Sequence, residues 1–353
     1  MNTILRMTSR LYNLTFVQMI RTLLILSFTF ILFSSSSCEQ SDVLRIAFYN
    51  VENLFDTEDA PNKIDEYYTP SSPIKWNEAK YQTKLKNLST VIEEICYNDY
   101  PHILGLCEVE NLKVLEDLVE QEAISSHNYQ IIHFESNDAR GIDNALLYDE
   151  KAFKPFDSGI KPVDLSQFEE TTRDILWVKG TIANGDTLIC MVNHWPSRRE
   201  GKANSEPKRV QAAKALKALF DNFEKQHPSA GIVAMGDFND EPSDVSLIST
   251  LGAGAKKKEG QLHNLMSKFH KKKKGSYNFR GNWNMLDQII VNDDLFDGKG
   301  SEVISKATGI KHEDWLIQKD EKYYGYPLRS FGGQKYLAGY SDHFGVYTAL
   351  TLD

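Results

Sequence analysis

Six short polar motifs, each joined to an apolar run, constrain this chain more than any other feature. In chain order they read RIAFYNVEN, LGLCEVEN, MVNHWP, IVAMGDFND, NMLDQIIV and GYSDHFGVY. Their polar residues are Asn50, Glu108, His194, Asp237, Asn239, Asp287, Asp342 and His343, and they stand at the ends of strand-like stretches. Carboxylates and carboxamides are hard oxygen ligands of the kind that hold Mg2+ or Mn2+, and such a cation neutralises charge developing on a phosphate. Histidine adds proton transfer and hydrogen bonds to phosphate oxygens. The set suits a divalent-metal phosphoesterase.

Hydrophobic periodicity predicts strands over residues 43–49, 102–107, 145–148, 175–182, 187–193, 231–235, 285–291 and 346–351. It predicts helices over 76–97, 112–123 and 207–226. Leu85, Leu88, Val91, Ile92 and Ile95 recur at helical spacing in the first. Val210, Ala213, Leu216, Leu219 and Phe220 do so in the last. Asn184-Gly185 between two apolar runs signals a hairpin. Helices and strands alternate without a strict βαβ period, which predicts an α+β fold of two facing mixed sheets with helices outside. With 353 residues, 41% hydrophobic, and neither a Pro/Gly/Ser-rich linker nor an internal repeat, one large domain is expected.

Spacing separates some roles. Asp237 and Asn239 share an orientation by the period of two, and Phe238 points into the core. Asp342 and His343 are adjacent, so in an extended segment they face opposite ways and take separate tasks. Asp240 reads as a turn acid ahead of Glu241-Pro242, and Glu110 as an exposed acid. Glu52 has no role that the sequence defines. Cys107 and Cys190 lie in apolar runs and are expected as buried thiols.

Over residues 44–351 these motifs resemble the endonuclease/exonuclease/phosphatase superfamily, which includes deoxyribonucleases, abasic-site endonucleases, sphingomyelinases and inositol-polyphosphate phosphatases. GDFND followed by SDHFGV carries the specificity. The resemblance implies a deoxyribonuclease I-like four-layer α/β/β/α sandwich with the site at one end of both sheets. It implies Mg2+ or Mn2+ held by Glu108 and Asp342, with Asn50 orienting metal or phosphate. Asp237 and Asn239 would hold the phosphate and its attacking water. His343, oriented by Asp287, would approach the scissile phosphate, and His194 would donate to a phosphate oxygen. Arg173, in TRD, matches a family arginine that contacts substrate phosphate. Arg140, in DARG, stands where relatives place a substrate-facing group. Arg198, Arg199, Lys202, Lys208 and Arg209 read equally as phosphate contacts or as a solvated face.

Residues 1–38 read as a secretory signal: Arg6, Arg10 and Arg21, a short apolar stretch, then Ser34 to Ser37 and Cys38. Cys38 after small residues resembles a bacterial lipoprotein cleavage site, with Ser35 where a leucine usually stands. Residues 39–353 then form an exported domain, either anchored to the cell envelope (outer membrane or periplasm) through a lipid on Cys38 or secreted. Without those three arginines the net charge goes from −9 to −12, so any contact with nucleic acid must be local. Residues 256–274 are lysine-rich and read as a solvated loop or as a phosphate-steering one. Tyr277, Phe279 and Trp283 are core aromatics or a base-stacking surface.

YNVENLF with GDFND is most similar to exported bacterial nucleases. A monomer hydrolysing nucleic-acid phosphodiester bonds by in-line attack of water is therefore the leading expectation. The alternatives are a phospholipid or sphingomyelin phosphodiesterase, an inositol-phosphate phosphatase, and a non-catalytic binding protein on the same fold. No exposed aromatic hairpin of the membrane-acting kind is visible in the sequence.

Overall fold

The apolar runs become the inner strands of two sheets in the computed structural model, which describes residues 43–255 and 261–352. The expected signal segment, Cys38 and Lys256 to Lys258 lie outside the described residues. One sheet runs, in spatial order, β14 (Gly309–Ile310), β17 (Val346–Thr351), β1 (Val43–Leu54), β2 (Ile103–Val109), β4 (Asp143–Tyr148) and β3 (Gln130–His133). The other runs β5 (Phe153–Lys161), β6 (Ile175–Ile182), β7 (Thr187–His194), β8 (Gly231–Asp237), β13 (Asp287–Val291), β10 (Leu262–Asn264) and β9 (Ala253–Gly254). Two small hairpins stand apart: β11 (Tyr277–Phe279) with β12 (Asn282–Asn284), and β15 (Phe331–Gly332) with β16 (Lys335–Tyr336).

The pleat explains why the central strands read as unbroken apolar runs. Leu44, Ile46 and Phe48 of β1 enter the core between the sheets, and Ala47, Tyr49 and Val51 enter a second core on the outer face. That outer core is closed by α1 (Glu78–Glu93) and α2 (Leu112–Val119), capped by the Asn77 and Asn111 side chains. In the other sheet Val233 and Met235 of β8 face inward, while Ile232 and Ala234 pack under α3 (Lys202–Gln226). Three cores between four layers give the expected α+β sandwich.

Register brings the polar motifs to one edge. β1 and β2 are parallel, with Asn50 opposite Cys107; β7 and β8 are parallel, with His194 opposite Asp237. β13 runs against β8 with Asp287 opposite Asp237, and β17 runs against β1 with Val346 opposite Phe48. The ends of four strands and the beginnings of two therefore meet at one end of the sandwich.

The helix expected from Pro207 begins five residues earlier, at Lys202. Pro207 removes one N–H inside the first turns, and Arg209 Nη2 donates to Lys202 O at 2.8 Å there. α1 stops at Glu93, where Glu94 leaves helical geometry with φ −118°, and Tyr97 and Asn98 take left-handed φ angles of 54° and 67° further on. β3 and β5 are edge strands of mixed burial, so they carry no clean alternation to read. Cys96, Cys107 and Cys190 are all buried free thiols.

Where β7 and β8 run side by side, Gly236 is required by close approach: a Cβ there would lie 2.3 Å from Asn193 O. Backbone cannot yield as a side chain does. Gly236→Ala should cost about 1–3 kcal/mol of stability by overpacking. A urea unfolding midpoint equal to that of the parent would refute this.

Candidate active site

Left-handed residues end the strand ladders and turn the functional side chains inward. The pairing of β1 slips between Asn50 and Leu54, where Glu52 and Asn53 have φ of 50° and 55°. Glu108, φ 63°, sits at the slip between Cys107 and Val109, and Asn239 follows β8 with φ 49°. Hydrogen bonds hold these bends: Asn53 N–H donates to Glu108 Oε2 at 2.9 Å, and Asn239 N–H to Asp237 Oδ1 at 2.9 Å.

The centre is Asp237 Oδ2. Asn50 Nδ2 donates to it at 3.1 Å and lies 3.5 Å from Glu108 Oε1. His194 Nε2 is 3.8 Å from the same two oxygens, and His343 Nε2 is 3.9 Å from Asp237 Oδ2. His343 Nδ1 meets Asp287 Oδ2 at 2.7 Å, and Asp287 N–H is held by Ser276 Oγ. Asn239 Nδ2 donates to Trp195 O, and Phe238 turns away against the Trp195 ring. Asp342 lies beside this group, with Oδ1 4.0 Å from His343 Nε2 and Oδ2 accepting from Arg329 Nη2 at 3.0 Å. Asp237, Asp287 and His343 form the tight cluster of ligand-capable side chains here.

The two histidines are driven to opposite protonation states. Burial holds His194 well below its ordinary range, and Arg173, Arg140 and His343 add to the effect. Burial opposes charge on His343 too, but Asp287, Asp237 and Asp342 outweigh it and raise it well above that range. The two imidazoles are therefore pushed in opposite directions. Asp237 is pushed up to about 7 by burial and by the nearby Asp287 and Glu108 charges, against the pull of His343.

The expected substrate arginines separate. Arg173 is buried, with Nη1 on Asp138 Oδ2 at 2.9 Å and Nη2 on Trp195 O at 2.7 Å, so it braces the loop after His194. Arg140 is partly exposed beside Asp138. Arg198, Lys202 and Arg209 are tied to Asp240 or Asp244, and Lys208 to Glu170 and Glu200, while Arg199 is exposed and has no ion pair among the described residues. Asp240 sits at the bend into Glu241-Pro242 as expected, yet it is wholly buried, 2.7 Å from Arg209 Nε and 2.6 Å from Ser246 Oγ. Glu110 is not exposed either; it is buried and accepts from Asp56 N–H.

Arg329 escaped the sequence reading, and the groups it left open now have places. Glu52 is buried against Arg329 and Lys84, and Arg329 comes from a stretch with no strand signal. Tyr277 lies against the His343 ring at 4.8 Å. Phe279 is 54% exposed on the β11–β12 hairpin, so a small aromatic hairpin does exist beside the site. Trp283 packs on Phe344. Lys271 to Lys274 are exposed after α4 (Ser267–His270), and Lys273 and Lys274 help line a cleft of about 380 Å³ with Trp283 and His312.

Carboxylates, carboxamides and a histidine pair at one end of a four-layer sandwich define a metal-dependent phosphoesterase. The chain belongs to the endonuclease/exonuclease/phosphatase family, whose model matches residues 45–352. No curated protein sequence matches it. Among solved structures it is similar to humanized D. rerio TDP2, with 16% identity, 88% of this chain and 99% of that one covered, and a TM-score of 0.56. It is also similar to the human nocturnin catalytic domain with bound sulfate, at 15% identity, 88% and 95% coverage and a TM-score of 0.52. A Bacteroides thetaiotaomicron mannosyl-6-phosphatase gives 16% identity, 87% and 99% coverage and a TM-score of 0.51. At these identities the likeness speaks to fold alone.

The donor set fits a hard divalent cation. Glu108 and Asp237 bring two carboxylates to the Asn50 carboxamide, and burial, with the Asp287 and Glu108 charges adding to it, pushes Asp237 up. A second group, His133, Glu135 and Asp143, joins His133 Nε2 to Asp143 Oδ2 at 3.1 Å.

Glu110 gives a pH test of the inner acids. Burial pushes it up to about 8, with the Asp56, Asp65 and Glu135 charges adding to the shift. Between about pH 4.3 and that value the folded chain binds more protons than the unfolded chain, so this group lowers stability as pH rises. Glu110→Gln should flatten that fall in urea unfolding across the window. An unchanged slope would show that Glu110 ionises normally.

Proposed function

We propose that the site hydrolyses a phosphodiester bond of nucleic acid, with Mg2+ or Mn2+ held by Glu108, Asn50 and Asp342. The observation that carries this reading is the approach of two imidazole Nε2 atoms, those of His194 and His343, to Asp237 Oδ2 at 3.8 and 3.9 Å. The cation would supply charge neutralisation at the phosphoryl oxygens. His343, kept protonated by Asp287, donates a charged hydrogen bond to a phosphoryl oxygen as negative charge grows there. His194 donates a neutral one from Nε2. Asp237 is in range to take the proton of the attacking water, and Asn239 keeps that water in line. Arg140 stands by as a further phosphate contact, and Arg173 keeps the His194 loop in place.

Nucleic acid is favoured over smaller phosphoesters by the exposed lysines Lys271 to Lys274 next to the Tyr277–Trp283 aromatics. D. rerio TDP2 has also been solved with a single-strand DNA product. Exposed Phe279, with Arg280 over its ring, favours a phospholipid phosphodiesterase as the second reading. We further propose export of a monomer, through residues 1–38, with Cys38 lipidated.

Residues 39–353, incubated with plasmid DNA, RNA, sphingomyelin vesicles, inositol polyphosphates and mannose 6-phosphate, each with Mg2+ and with EDTA, test the whole reading. Nucleic acid should be cut, and EDTA should stop it. Turnover of lipid alone, or turnover indifferent to EDTA, would overturn the proposal. Glu108→Ala should lower kcat by about 10²–10³ by losing transition-state charge stabilisation. His343→Ala should lower it by about 10²–10⁴, and Asp287→Asn by less, since the ring survives but loses its orienter. A fully active Asp287→Asn variant would break the pairing argument.

A further inference from the structure

The YNVEN motif carries a buried glutamate that the chemistry above does not use. Glu52 lies in the left-handed slip of β1, 6% exposed. One of its oxygens accepts from Arg329 Nε at 3.1 Å, and the other from Ser330 N–H at 2.7 Å, with Lys84 Nζ 3.8 Å away. Lys84 is itself buried and donates to Ser330 Oγ and Tyr340 O, while Asn87 donates to Ala338 O and Gly339 O. α1 thus clamps the segment between β14 and β17 against the end of β1. The clamp fixes the backbone of this segment without needing the guanidinium of Arg329.

The Arg329 side chain is 42% exposed. Its Nε is held by Glu52 and its Nη2 by Asp342 Oδ2, and Nη1 has no partner among the described residues. The other oxygen of Asp342 faces His343 Nε2 at 4.0 Å. Arginine and imidazole therefore meet the two oxygens of one carboxylate, and the same imidazole Nε2 lies 3.9 Å from Asp237 Oδ2. An arginine whose Nε is pinned presents its remaining N–H edge in a fixed plane, the geometry that pairs with two phosphate oxygens. Lysine at that position would offer only a point charge.

We infer that Arg329 is a phosphate-binding residue of this site and that Glu52 is its positioning residue. The inference rests on the phosphoesterase reading and adds to it the group that grips a nonbridging phosphate oxygen beside His343. Binding adds N–H donors to the phosphate from the free edge of the fork, and Glu52 keeps that edge turned outward.

The test separates this inference from the reading beneath it. Wild-type turnover of bis(p-nitrophenyl) phosphate and of plasmid DNA decides whether the site is a phosphoesterase at all. Calorimetric titration with inorganic phosphate, which needs no turnover, reads the grip directly. Arg329→Ala should weaken phosphate binding and raise KM, each by about tenfold or more, as the loss of a bidentate charged contact requires. Glu52→Gln should shift both in the same direction by less, with kcat moving less than KM. Arg329→Lys should recover only part of the loss. If Arg329→Ala does not fold, Arg329→Lys decides: raised KM and weaker phosphate binding support the inference. Unchanged KM and unchanged phosphate affinity in either variant, or a change confined to melting temperature, would overturn it.

Discussion

A buried carboxylate that two sheets share is the constraint on which the polar end of this molecule depends. Asp237 ends β8 in one sheet, yet its donor Asn50 stands where β1 slips in the other. His343 reaches it from the residue run that leads into β17, and Asp287 holds His343 from β13. A carboxylate taken out of water is costly unless donors surround it. The two sheets are therefore coupled by chemistry at this end as well as by apolar packing in the middle. Neither sheet alone holds a complete set of partners.

The bends that make this possible carry strain. Glu52, Asn53, Glu108 and Asn239 all sit at positive φ, which costs on the order of 1–3 kcal/mol each for ordinary residues. Their side chains or N–H groups meet one another or the centre, so the strain is held by the same contacts that build the site. The inner strands supply the stiffness: β1 and β8 are buried on both faces, so neither can slide without exposing a whole apolar row.

Much of this was legible in the sequence, for a physical reason. Strands buried on both faces leave long apolar runs, and polar residues at their ends stand out against them, so Asn50, Glu108, His194, Asp237, Asp287 and His343 could be picked out and are found together. Edge strands leave no such trace: β3 and β5 mix polar and apolar residues because only part of each is covered. Buried ion pairs are harder still. Asp240 and Arg209 are 31 positions apart, and Glu52 and Arg329 are 277 apart, so nothing local marks either acid as buried. Glu110 was misread for the same reason, since its cover comes from the chain near Asp56. Arg173 carried a motif, but the motif does not say which way a guanidinium points.

The charge pattern has its own logic. The whole chain is acidic at −9, and the site adds Glu52, Glu108, Asp237, Asp287 and Asp342 within a few contacts of one another. Such an end repels a phosphate at long range, and screening at physiological salt confines that repulsion to roughly 8 Å. Attraction must then come from groups that touch the phosphate: a divalent cation among the carboxylates, the imidazolium of His343 and fixed guanidinium groups. The same carboxylates that repel the free anion keep His343 charged and hold Arg329 in place. Repulsion at a distance and grip on contact are produced by one set of residues, and a ligand without a phosphate has little to gain from either.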